Sequence, residues 1–261
     1  MPGARVTDPS LIRAAVDGHR GWYHQIELAP GIVTPGPHHS AGALAALDRV
    51  GLPREASRLR VLDLGCRDGF FAFEMERRGA EVVGIDYAAP DVTGFAVAAR
   101  LLGSSVTYVV ENVYDIDPRR HGLFDLVLLL GVLYHLRNPI LALDRVRAMV
   151  RPGALVFVES QVSTAPRVQT MPLWQFLPRD SHHGDHTNKW MPNLAGLTTV
   201  IEECQLKVLK SRVDEKGRAC LSTRAVEDVQ LERYRALDGS MDSWGRRGEG
   251  DVPSRPGPER R

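Results

Sequence analysis

Between Arg60 and Ser160 the chain alternates short runs of branched apolar residues with amphipathic stretches, and this rhythm constrains the fold more than any other feature. The apolar runs are "LRVLDLG", "EVVGID", "SVTYVV", "FDLVLLLG" and "ALVFVES". Between them lie "FFAFEMERRG", "PDVTGFAVAARLLG" and "NPILALDRVRAMVRPG", each with helical spacing and a Gly or Pro-Gly stop. Strands separated by helices pair in parallel, because each crossover has to return the chain to the same end of the sheet. Strands apolar at nearly every position are covered on both faces. Further on, "KVLKSRV" and "RACLSTRA" flank "DEKG", the pattern of a hairpin. The expected fold is α/β: a seven-stranded, mostly parallel sheet with helices on both faces and an antiparallel C-terminal hairpin strand.

Outside the sheet the sequence predicts a helix over "DPSLIRAAVDGH", with Asp8 as cap, Pro9 in the first turn and Gly18 as stop. The stretch "GWYHQIELAPGIVTPGPHHSAG" is too punctuated by Pro and Gly for a long element and reads as a lid. Leu44, Leu47 and Val50 form a helical stripe. After Ser160 the rhythm lapses for about thirty residues, and long irregular segments of this kind are usually functional. A helix over "LAGLTTVIEECQ" follows, capped by Asn193. The expected organisation is residues 1–55 as N-terminal helices and substrate lid, 56–225 as the main domain with 161–192 a substrate-facing insertion, and 226–261 as a polar helix and a disordered tail.

Charge narrows the partners. With 33 basic and 32 acidic residues, the net charge of +1 creates no global field to gather nucleic acid or an anionic membrane. Cys66, Cys204 and Cys220 are far apart and form no Cys-x-x-Cys pair, which points away from a zinc knuckle or a disulfide scaffold and towards a reducing cytoplasm. The longest clean apolar run, "LVLLLGVLY", is half a membrane span, and "MPGARVTDPS" lacks the apolar core of a signal peptide. The expectation is a cytoplasmic protein with no membrane partner.

The chemistry begins at "LDLGCRDG", where a buried strand ends in two glycines four residues apart. Gly65 and Gly69 let the backbone turn sharply and approach a ligand closely. The next strand ends in Asp86, placed to accept both hydroxyls of a ribose. Together they read as a nucleoside site. A pyrophosphate would need a third glycine and would meet the negative Asp68, whereas a nucleoside with a cationic centre suits Asp63 and Asp68.

"LDLGCRDG", "GIDY" and "FDLVLLLGVLYHLRNPILALDRVRAMVRPGALVFVES" resemble the first, second and fourth-to-fifth-strand motifs of class I S-adenosylmethionine-dependent methyltransferases, over about Arg60 to Ser160. The resemblance implies a Rossmann-like sheet, an enzyme, and S-adenosyl-L-methionine as cofactor. "GVLYHLRNP", "WMPNLAGLTTVIEECQL" and "WYHQIELAPGIVTPG" resemble the branch that includes wobble-uridine tRNA carboxymethyl- or methyltransferases and bacterial small-molecule methyltransferases. Members of that branch often lack the middle glycine, so Arg67 is a family variant. The resemblance places Gly65 and Gly69 along the methionine moiety, Asp86 on the ribose, and Asn112 with Val113 on the adenine; Asp63, Cys66, Tyr87 and Gly131 complete the expected cofactor set. Tyr134 matches a tyrosine that in the carboxymethylating members helps recognise an extra carboxylate on the cofactor. "WYHQIEL" has no counterpart to the lysine those members also use, so ordinary S-adenosylmethionine is expected.

Methyl transfer is a displacement at an activated sulfonium, so the protein has to desolvate, align and, where needed, take a proton. His24, Tyr134 and His135 are the candidate catalytic residues, with Tyr134 expected to shape the cofactor pocket and His135 open to a purely structural hydrogen bond. Trp22, Tyr23, His186 and Trp190 are the candidate acceptor contacts; the tryptophans, Trp174 included, either wall a planar acceptor or simply pack. The histidines of "HHGDHTNKW" read as solvated or substrate-facing, with no metal expected. The expected function is methylation of an oxygen or nitrogen of a small molecule, a secondary metabolite among the candidates. A tRNA wobble-uridine modifying enzyme and a non-catalytic S-adenosylmethionine-binding module are the alternatives, and the oligomeric state is left open.

Overall fold

The structure is a computed structural model and describes residues 4–179 and 184–227. It opens with α1 (Pro9–Asp17), β1 (Glu27–Ala29), β2 (Ile32–Val33) and α2 (Ser40–Arg49). The alternating region follows as β3 (Arg60–Leu64), α3 (Phe70–Arg77), β4 (Glu81–Asp86), α4 (Pro90–Thr93), α5 (Phe95–Leu102), β5 (Thr107–Val110), α6 (Pro118–His121), β6 (Phe124–Leu130), α7 (Pro139–Ala148) and β7 (Val150–Gln161). The last elements are β8 (Trp174–Phe176), β9 (Trp190–Pro192), α8 (Leu194–Glu203), β10 (Leu206–Val213) and β11 (Arg218–Ala225).

Seven of these strands form one sheet in the order β10-β11-β7-β6-β3-β4-β5. The pairs from β7 to β5 are parallel, and β11 runs antiparallel to both β7 and β10, as the sequence predicts. The chain moves outward from β3 to β5, then crosses back to lay β6 on the other flank of β3. Strand order therefore reverses between β3 and β6, and the crevice beyond their carboxyl ends is where such sheets bind ligands.

Strand side chains alternate strictly between two cores. Val127 and Leu129 of β6 join Leu143, Val146, Leu197 and Ile201 of α7 and α8 on one face, while Leu126 and Leu128 join Leu47, Ala72 and Met75 of α2 and α3 on the other. Both faces are covered, which is why the strands carry almost no polar positions.

Three local readings change. "PDVTGFAVAARLLG" is not one helix: the chain passes through the left-handed region at Gly94 (φ 88°), where a Cβ would meet the Trp22 indole at 2.9 Å, so the helix breaks to let Trp22 in. Strand β7 starts at Val150 and carries Pro152-Gly153 within it, at a register shift against β6. The short α6, capped by the Asp117 side chain accepting from the Arg119 N–H, was not anticipated.

The stretch read as a lid is a packed strap. Asp8 caps α1 as expected, and Ile12 and Val16 pack with Trp22, Ile26, Leu28 and Ile32 against Cys66, Phe73 and Phe95. Strands β1 and β2 pair antiparallel inside it. In the insertion, β8 and β9 also pair antiparallel. This unit runs to Val226; the expected polar helix, from residue 228 on, and the tail lie outside the described residues. Among the described residues no helix is long and apolar enough to cross a membrane.

Asn193 does more than cap α8. Fully buried, its side-chain oxygen accepts from the N–H groups of Gly196 (2.7 Å) and Leu173 (3.1 Å), and its amide donates to the carbonyls of Met171 (2.7 Å) and Val168. Asn193→Ala loses the cap and strands buried partners in the insertion, so urea unfolding should show a loss of about 2–3 kcal/mol. An unchanged midpoint would mean the insertion holds itself.

Candidate active site

The turn after β3 lies against the turn after β6. A Cβ on Gly65 (φ 73°) would sit 2.4 Å from Val132 Cγ2, so no other residue fits between the two turns. Gly69 (φ 91°) is the N-cap of α3. Arg67 takes the position of a third glycine by adopting a left-handed φ of 56° itself. Its N–H donates to Asp86 Oδ2 at 2.9 Å, and its guanidinium lies 5.1 Å from the centre of the Tyr23 ring.

Two carboxylates end the adjacent strands. Asp63 is 2% exposed, and its Oδ2 has no hydrogen-bond partner among the described residues. Burial, and then the charge of Asp86, push its carboxyl up to about 7. Asp86 accepts from the Ala88 N–H on Oδ1 and from the Arg67 N–H on Oδ2, which leaves each oxygen a lone pair for a hydroxyl. An orphaned acid beside a glycine cradle, next to a carboxylate that can accept a diol, fits a ligand carrying a cation and a ribose. A pyrophosphate would meet two carboxylates here.

The other expected cofactor contacts are spread along the same rim. Tyr87, after β4, is 75% exposed. Asn112, after β5, accepts the Tyr114 N–H at 3.0 Å, and Val113 packs partly against the α7 face. The Gly131 N–H, after β6, donates to the Glu159 carbonyl at 3.0 Å. Cys66 faces inward: its sulfur lies 2.9 Å from where a Cβ on Gly84 would be, and burial pushes its thiol up, so the side chain is packing and only its backbone belongs to the turn.

Asp68 departs from the sequence reading. Fully buried, it accepts the N–H groups of Tyr23 (2.8 Å) and His24 (2.7 Å) on Oδ2 and pairs with His24 Nδ1 through Oδ1. Both of its oxygens are engaged in clasping the strap to the glycine turn. His24 is 9% exposed and packs against the rings of Phe70 and Phe71, which also touch each other. Tyr23 stacks on His38, ring centres 4.0 Å apart, and burial followed by the neighbouring Tyr134 raises its hydroxyl above the usual range. Trp22 is corrected as an acceptor contact. It is buried in the strap core, and its indole N–H donates to the Val16 carbonyl at 3.0 Å.

Across the mouth, Tyr134 Oη accepts from Arg218 Nη1 at 3.1 Å, and Arg218 grips Glu159 through two contacts of 2.5 Å. Nothing in the sequence singled out Arg218 or Glu159. They stand on neighbouring strands but 59 residues apart in the chain. The insertion docks on the same turn: the Lys189 N–H donates to the Tyr134 carbonyl (2.9 Å), Trp190 Nε1 to the Leu136 carbonyl (3.0 Å), and His135 Nδ1 lies 3.0 Å from Thr187 Oγ1. Trp190 stacks edge-on with Phe176 and Trp174. His186 is exposed, and its carbonyl accepts from Lys189 Nζ; His182 and His183 lie outside the described residues.

Comparison with known proteins agrees with this geometry. The chain is 31% identical over 195 residues to the ubiquinone biosynthesis O-methyltransferase of Xanthomonas campestris pv. campestris, covering 69% of this chain and 80% of that protein. It is 31% identical over 147 residues to the tRNA U34 carboxymethyltransferase of Citrifermentans bemidjiense, covering 56% of this chain but only 44% of that protein, so it spans less than half of that relative. In fold it is similar to the N-terminal domain of EvdMO1, solved in the presence of SAH and D-fucose: TM-score 0.63 at 20% identity, over 85% of this chain and 99% of that one. The family described as "Methyltransferase domain" matches residues 38–235, and it is to this family that the chain belongs.

Proposed function

We propose that the protein transfers the methyl group of S-adenosylmethionine to an oxygen or nitrogen of a small-molecule acceptor. The observation that carries this is the buried Asp63, whose Oδ2 has no hydrogen-bond partner among the described residues, beside Asp86 at the reversal of strand order, closed on one side by the clasped strap. When bound, the cofactor supplies an electrophilic methyl on a sulfonium. Asp63 holds its cationic amine, Asp86 its ribose, and the backbone from Gly65 to Gly69 its methionine chain, with Tyr87, Asn112, Val113 and Gly131 along the rim. The described parts of the strap, residues 4–55, and of the insertion, residues 161–179 and 184–192, shield the acceptor from water, with Tyr23, Tyr134 and Trp190 as its walls and His186 at the solvent edge.

Two observations favour a small molecule and an unmodified cofactor. The net charge of +1 provides no global positive field to gather a phosphate backbone. The Arg218 cation beside Tyr134 is already neutralised by Glu159, which disfavours a second carboxylate on the donor. The three cysteines are free and buried, in keeping with a cytoplasmic enzyme, and a secondary metabolite is the acceptor class we favour. His24 acts through its clasp, and Tyr134 through the shape of the pocket.

Asp86→Ala should weaken S-adenosylmethionine binding by about 1.5–3 kcal/mol, the worth of a hydrogen bond to a charged group, in a calorimetric titration. Unchanged affinity in a folded variant would move the ribose elsewhere. Labelled-methyl transfer to a metabolite extract, run beside tRNA, tests the acceptor. Label in tRNA alone would overturn the small-molecule reading.

A further inference from the structure

Two histidines stand at the mouth, and both have Nδ1 committed to a partner. His24 meets the buried carboxylate of Asp68 directly, deep under the strap. His135 is half-buried at the rim and reaches an acid only through a hydroxyl. Thr187 Oγ1 donates to Asp185 Oδ1 at 2.6 Å, and the Thr187 N–H donates to the same oxygen at 2.8 Å, which fixes the rotamer. A threonine has one hydroxyl proton. Since that proton points at Asp185, Oγ1 can only accept, and the 3.0 Å contact with His135 requires a proton on Nδ1. Nε2 is then the nitrogen that carries the lone pair.

We propose that His135 Nε2 is the proton acceptor of methyl transfer, and that Thr187 and Asp185 are positioning residues that hold its ring in the required tautomer. This deepens, and rests on, the methyltransferase reading above. His135 follows Val132 on the turn that meets Gly65, so it stands beside the cradle assigned to the methionine chain. In the step, a lone pair on the acceptor oxygen or nitrogen bonds the methyl carbon. The carbon–sulfur pair stays on sulfur, which becomes a neutral thioether. The proton released by the acceptor goes to Nε2, so the imidazolium carries the positive charge the sulfonium gave up.

The surroundings suit a base that starts neutral. Burial first lowers the His135 pKa; the Thr187 backbone and the Asp185 charge raise it, and Arg218 and Arg67 lower it again. Tyr134, whose ring centre is 4.2 Å away, keeps its proton because burial raises its own pKa. The net direction is downward, leaving the ring unprotonated near neutral pH. The interposed hydroxyl orients the ring while holding the acid one residue further away than in the His24–Asp68 pair.

The test reads the ring itself before any turnover. In long-range proton–nitrogen NMR of histidine-labelled, cofactor-free protein, His135 should appear with Nδ1 protonated. Thr187→Val should lose that preference and Thr187→Ser should keep it. Thr187 is exposed, so neither variant should disturb folding. With an acceptor in hand, His135→Gln should reduce kcat by about 10²–10⁴-fold. Thr187→Val should reduce kcat without changing KM for the cofactor, and Thr187→Ser should restore it. The acid limb of kcat/KM should coincide with the His135 pKa read by NMR. A proton on Nε2 in the native protein, or an unchanged tautomer in Thr187→Val, would overturn the relay. Full turnover by His135→Gln would overturn the catalytic role alone. Absence of methyl transfer from the native protein, with the tautomer as described, would overturn the function and that role together.

Discussion

Asp68→Ala should cost about 3–5 kcal/mol of stability, since it strands three donors at about 1–3 kcal/mol for each one left buried and unsatisfied, and should release the N-terminal strap first. The loss is large because three donors converge on one carboxylate with no exposure: the N–H groups of Tyr23 and His24 and the imidazole of His24. In the alanine variant each is left without an acceptor in a site closed to water. For a domain whose total stability is of the usual 5–15 kcal/mol, this is a substantial share. Urea unfolding measures the total, and limited proteolysis between Tyr23 and His38 reports whether the strap opens before the sheet. Asp68→Asn keeps one acceptor oxygen and should fall between. If Asp68→Asn folds but loses cofactor affinity more than tenfold, Asp68 faces the ligand cation after all; a native-like urea midpoint in Asp68→Ala would show that the clasp holds little.

The sheet was legible because its signal is local and repeated. Strands such as Phe124–Leu130 are apolar at nearly every position since they are buried on both faces, and helices such as Pro9–Asp17 carry cap and stop, Asp8 and Gly18, in their own sequence. The glycine turn and Asp86 were legible for the same reason: each ends a recognisable strand. The failures are pairings over distance. Asp68 looked like a ligand group because, by sequence, its only neighbours are Arg67 and Gly69; its true partner is 44 residues away. Arg218 with Glu159 and Thr187 with His135 lie 59 and 52 residues apart, and no periodicity or composition records such contacts. The packing within the strap was hidden by its prolines and glycines. Pro30-Gly31 mark the hairpin between β1 and β2, while the apolar residues between the breaks, Trp22, Ile26, Leu28 and Ile32, carry the packing. Trp22 was assigned to the acceptor because aromatic residues in loops often line pockets, whereas Gly94 had opened a place for it in the core.

Asp63 should make the stability of the ligand-free protein fall as pH rises from about 4 to about 7. The folded carboxyl keeps its proton up to about 7, because burial and then the charge of Asp86 disfavour ionisation by more than the Ala72 backbone hydrogen bond favours it; the unfolded carboxyl loses its proton near 3.8. Between those values the native state binds more protons than the unfolded state, so each added pH unit costs up to about 1.4 kcal/mol, and above about 7 the curve flattens. Asp63→Asn removes the titration, and the difference between its pH–stability curve and that of the native protein isolates this group from every other carboxylate. The same charge that destabilises the empty cleft is what a cationic ligand would use. An ammonium brought against Oδ2 stabilises the ionised form, so binding at pH 6 should expel close to one proton into the buffer, and calorimetric titrations in buffers of different ionisation enthalpy would count it. Asp63→Asn should bind more weakly and expel none. Binding by the native protein at pH 6 without proton release would mean that the cofactor's cation does not change the protonation of Asp63; if the pH–stability difference shows the acid protonated beforehand, the cation rests on another group. A flat difference curve between pH 4 and 7 would mean that water already reaches Oδ2 and the acid is ionised in the folded state throughout.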